Sequence, residues 1–200
     1  MESKFKTIIG ATGVMYLIKR ELFTPISSNS PDDFERVLLI IKNGYYATYE
    51  PRASISLEVT EKATEEVQRK IRIITQEWFV LKRNKELLNP FRYPAVSFIF
   101  FSHKLLRWLF FVFVLTGFIS NAFLISVGFY RVVFILQIVV YLLGTLGLIS
   151  QAKGKHIPLT GLAGYFVAMV YSSAVAFFHF LQDAHQFHRA RILGADDDPV

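Results

Sequence analysis

The sequence predicts an α/β segment facing water, followed by an α-helical membrane domain of about three transmembrane helices. Three observations predict it. Charge is segregated: 17 of the 22 Lys and Arg, and 12 of the 16 Asp and Glu, lie at or before Arg107. Between Leu109 and Leu181 only Arg131, Lys153 and Lys155 are charged. Composition agrees, with 52% hydrophobic residues, 20 Phe and only 19% charged residues, where a soluble domain carries about a quarter. Finally, the apolar spacing changes along the chain from helical to alternating, back to helical, and then to unbroken runs.

The elements follow in order. Residues 5–20 form a Gly-punctuated apolar stretch, read as a loop and then a strand or short helix. Ser30-Pro31-Asp32-Asp33 is a helix start, with Ser30 as N-cap and Pro31 in the first turn. Phe34, Val37, Leu38 and Ile41 then recur at helical spacing as one buried face, and Gly44 ends the helix. Tyr45 to Tyr49, and Ser54-Ile55-Ser56-Leu57-Glu58-Val59 with its alternation, read as short strands. A long amphipathic helix is expected from about Thr64 to about Leu88. Val67, Ile71, Ile74, Trp78 and Leu81 form its apolar stripe, opposite Glu65, Arg69, Arg72 and Gln76. Asn89-Pro90 breaks it.

Residues 91–108 read as an interfacial helix, with Trp108 at headgroup level and His103, Lys104 and Arg107 snorkelling to phosphate. The runs 109–127, 132–150 and 159–181 are each long enough to cross a hydrocarbon core of about 30 Å. Residues 1–90 form the expected cytoplasmic part and 183–200 a polar tail. The N-terminus has no apolar core suited to a signal peptide, so the first span is expected to direct insertion. Two Lys in the loop at 151–156, against one Arg in the loop at 128–131, agree with a cytoplasmic N-terminal part. The tail then lies outside, unless the third segment is re-entrant. A net charge of +6 fits Lys and Arg near anionic lipid rather than nucleic acid. The lack of cysteine excludes disulfides, thiolate catalysis and Cys-based metal sites.

Taken in order, the motifs ESKF..IIGATGVMYLIKRELF, PDDFE, NGYYATYEPRASISLE, QRKIRI and LLNPFRYPAVSFIFFSHKLLRW resemble the C-terminal half of membrane-bound family-2 glycosyltransferases. These enzymes build surface polysaccharides and glycolipids from nucleotide sugars. The resemblance runs from about residue 2 to the second span. It implies a partial GT-A-type α/β catalytic domain on the cytoplasmic face of the plasma membrane. Its partners would be a nucleotide sugar for the full enzyme, a saccharide or lipid-linked acceptor, and the bilayer.

Asp33 matches the family's general base, with Asp32 its neighbour; both also suit a plain first turn, where carboxylates complement the helix dipole. Arg72 matches the Arg of the family's Gln-x-x-Arg-Trp, which reaches the diphosphate. Arg69 stands in place of Gln and Ile73 in place of Trp, so the stacking platform of processive members is missing. Both arginines also suit a solvated helix face. Gly10 and Gly13 would let backbone approach a bound sugar or form an ordinary turn. Glu58 matches an acidic position after the strand, or is an exposed strand carboxylate.

The full enzyme is expected to need a divalent cation, Mg or Mn, whose Asp-x-Asp ligands this chain lacks. No aspartate precedes Asp32, and about thirty residues are too few for a βαβ nucleotide-binding unit. The Asp196-Asp197-Asp198 run reads as tail. The chain is therefore expected to be truncated and inactive alone. Two alternatives stand beside it. One is a non-catalytic assembly or lipid-binding subunit with a basic amphipathic helix. The other is a membrane metal enzyme using His179, Asp183, His185 and His188, a cluster that also reads as interfacial polar residues closing a helix.

Overall fold

The computed structural model describes residues 7–11, 13–26, 30–56, 63–153 and 160–192. Its helices are α1 (Asp32–Lys42), α2 (Ala63–Arg83), α3 (Pro94–Ile99), α4 (Leu106–Trp108), α5 (Phe110–Phe123), α6 (Gly128–Ala152) and α7 (Thr160–Ile192). Short 3-10 turns occupy Arg20–Leu22 and Lys85–Leu88, and a π-helical turn, Phe100–Leu105, joins α3 to α4. The chain divides into two compact units, Met1–Val59 with Gln76–Arg107, and Thr60–Thr75 with Trp108–Val200.

The expected α/β class is corrected: the fold is all-α, and among the described residues there is no strand. The cause lies in pairing. The extended segments near Ile8 and Ala47 share one backbone bond, Ile8 N–H to the Ala47 carbonyl at 2.9 Å. The Ala47 N–H then turns to the Thr7 hydroxyl at 3.2 Å instead of continuing a ladder. Alternation gives a side-chain pattern, but a strand also needs a neighbour's donors and acceptors. Of the second expected strand, residues 57–59 lie outside the described residues, and Ser54 to Ser56 are exposed coil.

In the first unit, α1 buries the face its spacing dictates. Phe34, Val37, Leu38 and Ile41 are all buried, each contributing roughly 1.5–3 kcal/mol of burial free energy. Phe34 packs on Phe100 with ring centroids 5.8 Å apart. Gly44, at φ +81°, closes α1. Its N–H reaches the Ile41 carbonyl and the Tyr45 N–H reaches that of Ile40, a Schellman closure needing the left-handed conformation glycine adopts freely. At the other end Pro31 holds the cap position. The Ser30 hydroxyl, expected to cap, instead accepts a hydrogen bond from Arg83 at 2.6 Å. Arg83 also makes a forked pair with the nearly buried Glu35, at 3.1 and 3.0 Å. Asn84 ends α2 by bonding the Val80 carbonyl at 2.9 Å, short of the expected end near Leu88.

Lys104 differs from expectation. Its ammonium is largely buried, paired with the buried Glu77 carboxylate, and stands 4.6 Å from the Phe34 ring centre, so it does not snorkel.

In the second unit α6 and α7 approach closely. A Cβ on Gly144 would come within 2.5 Å of the Ala163 carbonyl oxygen, and one on Gly147 within 2.7 Å of Thr160 Cβ. Such contact is the usual way apolar helices associate where lipid removes the hydrophobic drive. Aromatic rings fill the remaining space: Phe118 stacks on Phe134 at 5.0 Å, and Tyr141 lies parallel to Phe166 at 6.3 Å. Asn121 donates to Gln137 at 2.9 Å, a polar bridge between α5 and α6. The beginning of α2 lies against α7, with Lys70 4.3 Å over the Tyr165 ring and the Thr75 hydroxyl 3.4 Å from the Ala176 carbonyl.

Two helical segments, Gly128–Ala152 and Thr160–Asp183, are long and apolar enough to cross a membrane. At 25 and 24 residues they span about 36–38 Å at 1.5 Å per residue. The first expected span ends early: α5 has 14 residues, about 21 Å, and stops in a turn at Leu124–Val127. Among the described residues, a third span arises only if Pro94–Trp108 and Phe110–Phe123 count together as one broken at Leu109.

Candidate functional site

The site is built where the glycine loop crosses the first turn of α1. The Pro31 carbonyl accepts from the N–H groups of Phe34 and Glu35, opening the helix at Asp32. The Ala11 N–H donates to the Asp33 carbonyl at 3.0 Å, which lays the loop over that turn. Gly13 is then close to the Asp33 carboxylate: a Cβ there would sit 2.9 Å from Oδ2. Gly10 is different, since a Cβ would meet Phe34 at an ordinary 3.5 Å. Of the two glycines, only Gly13 stands so close to a side chain that a methyl there would push it aside, the Asp33 carboxylate end being what would move.

The two adjacent carboxylates have different surroundings. Asp32 is held at both oxygens, by the Tyr16 hydroxyl at 2.7 Å and by Arg36 Nε at 2.6 Å. The Tyr16 hydrogen bond and the Arg36 guanidinium hold its carboxyl below the usual carboxylate range, against a smaller opposing effect of burial. Burial, followed by the bond to Asp32, pushes the Tyr16 phenol up. Arg36 is itself fixed, donating to the Thr24 carbonyl at 2.8 Å and lying 4.1 Å over the Phe23 ring. Asp32, Tyr16, Arg36 and Phe23 thus strap residues 13–26 to α1. Asp33 is half-exposed, and among the described residues no side chain bonds its carboxylate. Adjacent in sequence, the two carboxylates divide into a tied anion and an open one. Such an open carboxylate can accept a proton from a hydroxyl placed against it.

Of the other sequence-derived residues, Arg69 and Arg72 lie in the second unit, on the exposed side of α2. Arg69 is engaged by Glu66 in a forked pair at 2.8 and 2.9 Å. Arg72 makes no ion pair among the described residues and offers a free guanidinium. Glu58 lies outside the described residues, as do Asp196 to Asp198 and the side chains of His185 and His188. Among the described residues no three His, Asp or Glu stand together as a metal site would require.

Sequence reasoning missed Tyr16 and Arg36. The Asp32–Arg36 pair was legible as an i,i+4 spacing, whereas nothing local marks Tyr16, sixteen positions from its partner. No family model, curated protein or solved structure matches this chain.

Proposed function

We propose that this chain is the acceptor-side and membrane-anchoring part of an inverting glycosyltransferase, with Asp33 as its general base. Supporting the reading is the order of motifs together with one geometric observation: the Asp33 carboxylate is open while Asp32 beside it is tied at both oxygens. Asp33 takes the proton of an acceptor hydroxyl. The freed oxygen forms a bond to the anomeric carbon of the donor sugar. The bond from that carbon to the diphosphate oxygen breaks, and the nucleoside diphosphate leaves with the electron pair. The divalent cation of a full enzyme finds no set of ligands among the described residues, so no step here is assigned to it.

The bilayer completes the proposal. Segments Gly128–Ala152 and Thr160–Asp183 are long enough to span. With Lys153 and Lys155 between them, they make a multi-pass plasma-membrane protein whose polar N-terminal part is cytoplasmic.

The test supplies the donor-binding half of a family-2 enzyme in trans to proteoliposomes holding this chain, and follows transfer of radiolabelled sugar from UDP- or GDP-sugars into acceptor. Transfer is expected, with Asp33→Asn lowering its rate by about 10²–10⁴-fold, the usual share of a general base. Asp32→Asn, which loosens only the strap, leaves most of the rate. Equal losses in the two variants would refute Asp33 as the base.

A further inference from the structure

The first unit carries exposed aromatic residues in the stretch of sequence that precedes the apolar helices. Phe91 is 96% exposed, yet it sits on an ordered turn: Asn89 Oδ1 accepts from the Phe91 N–H at 2.9 Å, and the Asn89 carbonyl accepts from Arg92 and Tyr93. Its exposure is therefore imposed by the turn. The helix that follows is fixed in rotation as well. Val96, Ser97, Ile99 and Phe100 are buried, and the Ser97 hydroxyl bonds the Leu88 carbonyl at 2.6 Å. That rotation turns Phe98 and Phe101 outward, 60% and 53% exposed.

Charge identifies what covers this face. No acidic residue occurs between Glu86 and Asp183. Arg92, His103 and Arg107 are exposed in the same stretch of chain as these rings, while Lys104 is already neutralised by Glu77. The segment is thus apolar and predominantly cationic, with the Glu86 carboxylate close enough to act on Arg92 and no acidic residue from there to Asp183. It lies within a few residues of Phe110, where an uncharged helix begins. A protein partner would require its own acidic surface. The headgroup layer of a bilayer offers both components, acyl carbon at the depth of the rings and phosphate at the depth of the arginines.

Resting on the membrane reading above, we propose that Phe91, Phe98 and Phe101 insert into the headgroup region of an anionic leaflet, with Arg92 and Arg107 on its phosphates. The occupant is the lipid surface itself, and the basic contribution comes from these arginines rather than from Lys104.

The cysteine-free sequence makes the experiment direct. Single variants Phe91→Cys and Phe101→Cys of the full chain are labelled with an environment-sensitive fluorophore in phosphatidylcholine vesicles with or without phosphatidylglycerol. Arg52→Cys, on an exposed turn, serves as the water reference and Leu142→Cys, exposed on α6, as the lipid reference. With phosphatidylglycerol present, emission at 91 and 101 is expected to shift to the blue, with loss of iodide quenching and gain of quenching by spin-labelled lipid. Omitting phosphatidylglycerol, or adding Arg92→Ala and Arg107→Ala together, reverses the shift. If 91 and 101 behave like 52 while 142 is lipid-quenched, the membrane reading stands and this inference falls. Equal lipid quenching with and without phosphatidylglycerol overturns the anionic leaflet. Iodide quenching at 142 overturns the membrane reading and this inference together.

Discussion

Asp32 and Asp33 are neighbours with opposite surroundings, and the difference is testable by pH. The Tyr16 bond and Arg36 lower the folded-state pKa of Asp32 below its unfolded value. A lowered carboxylate stabilises the fold above the unfolded value, about pH 4, and that stability is lost as pH falls through the folded value. Tyr16, pushed up first by burial, keeps its proton through neutrality, so the bond has no alkaline limb below about pH 10. The Asp32 side chain is 52% exposed, and water screens the pair to roughly 0–1 kcal/mol. Thermal unfolding in detergent at about pH 3–6 is expected to show a lower midpoint for Asp32→Asn than for the parent above pH 4, the two converging below it. Parallel curves would show that the strap contributes nothing. Half of this site was legible. The acid pair and Gly13 stand out in sequence, but which carboxylate is tied depends on Tyr16, and no periodicity carries that information. Lys104 illustrates the same limit: beside His103 and Arg107 it reads as a headgroup ligand, yet Glu77, twenty-seven positions earlier, captures it.

At the scale of elements, local rules succeeded where the element satisfies its own backbone. The helical face of α1 and the stop at Gly44 follow from spacing and from one residue's freedom at positive φ. The strands failed because their hydrogen bonds depend on a neighbour, and among the described residues the segments at Ile8 and Ala47 share one backbone bond. Between these cases stand the apolar helices, whose existence was legible from uncharged length while their packing was not. Glycine decides that packing. Gly144 faces the Ala163 carbonyl, where a methyl would sit at 2.5 Å, whereas a methyl on Gly117 meets nothing within 4 Å. Gly144→Ala is expected to lower the unfolding midpoint in detergent, through overpacking that costs about 1–3 kcal/mol. Gly117→Ala gains helix propensity of up to about 1 kcal/mol and leaves the midpoint unchanged or raised. If Gly144→Ala proves as harmless as Gly117→Ala, the close approach of α6 and α7 is wrong.

For the molecule as a whole, charge segregation was the most informative feature of the sequence, because the bilayer acts on charge before any side-chain contact forms. It also fixes an expected sidedness. Lys153 follows α6, and α7 begins at Thr160. Lys70, on the part of α2 that belongs to the same unit, stacks on Tyr165 only five residues into α7. Arg69 and Arg72 stand on that part of α2 too, which continues along α7 to the Thr75–Ala176 contact, so Lys153 and Lys70 are the cations placed at the Thr160 end. The turn at Leu124–Val127 marks the opposite end of α6, with Arg131 as its nearby cation, donating to the Ile125 carbonyl at 3.1 Å. A leaflet that retains positive charge should hold the lysine end on the cytoplasmic side. Single variants Lys153→Cys, Arg72→Cys and Ser126→Cys can be probed with a membrane-impermeant maleimide in vesicles of known orientation. Positions 153 and 72 are expected to label in inside-out vesicles and position 126 in right-side-out ones. Labelling of 126 from the same side as 153 would mean that α6 does not cross, and the orientation argued from charge would fail with it.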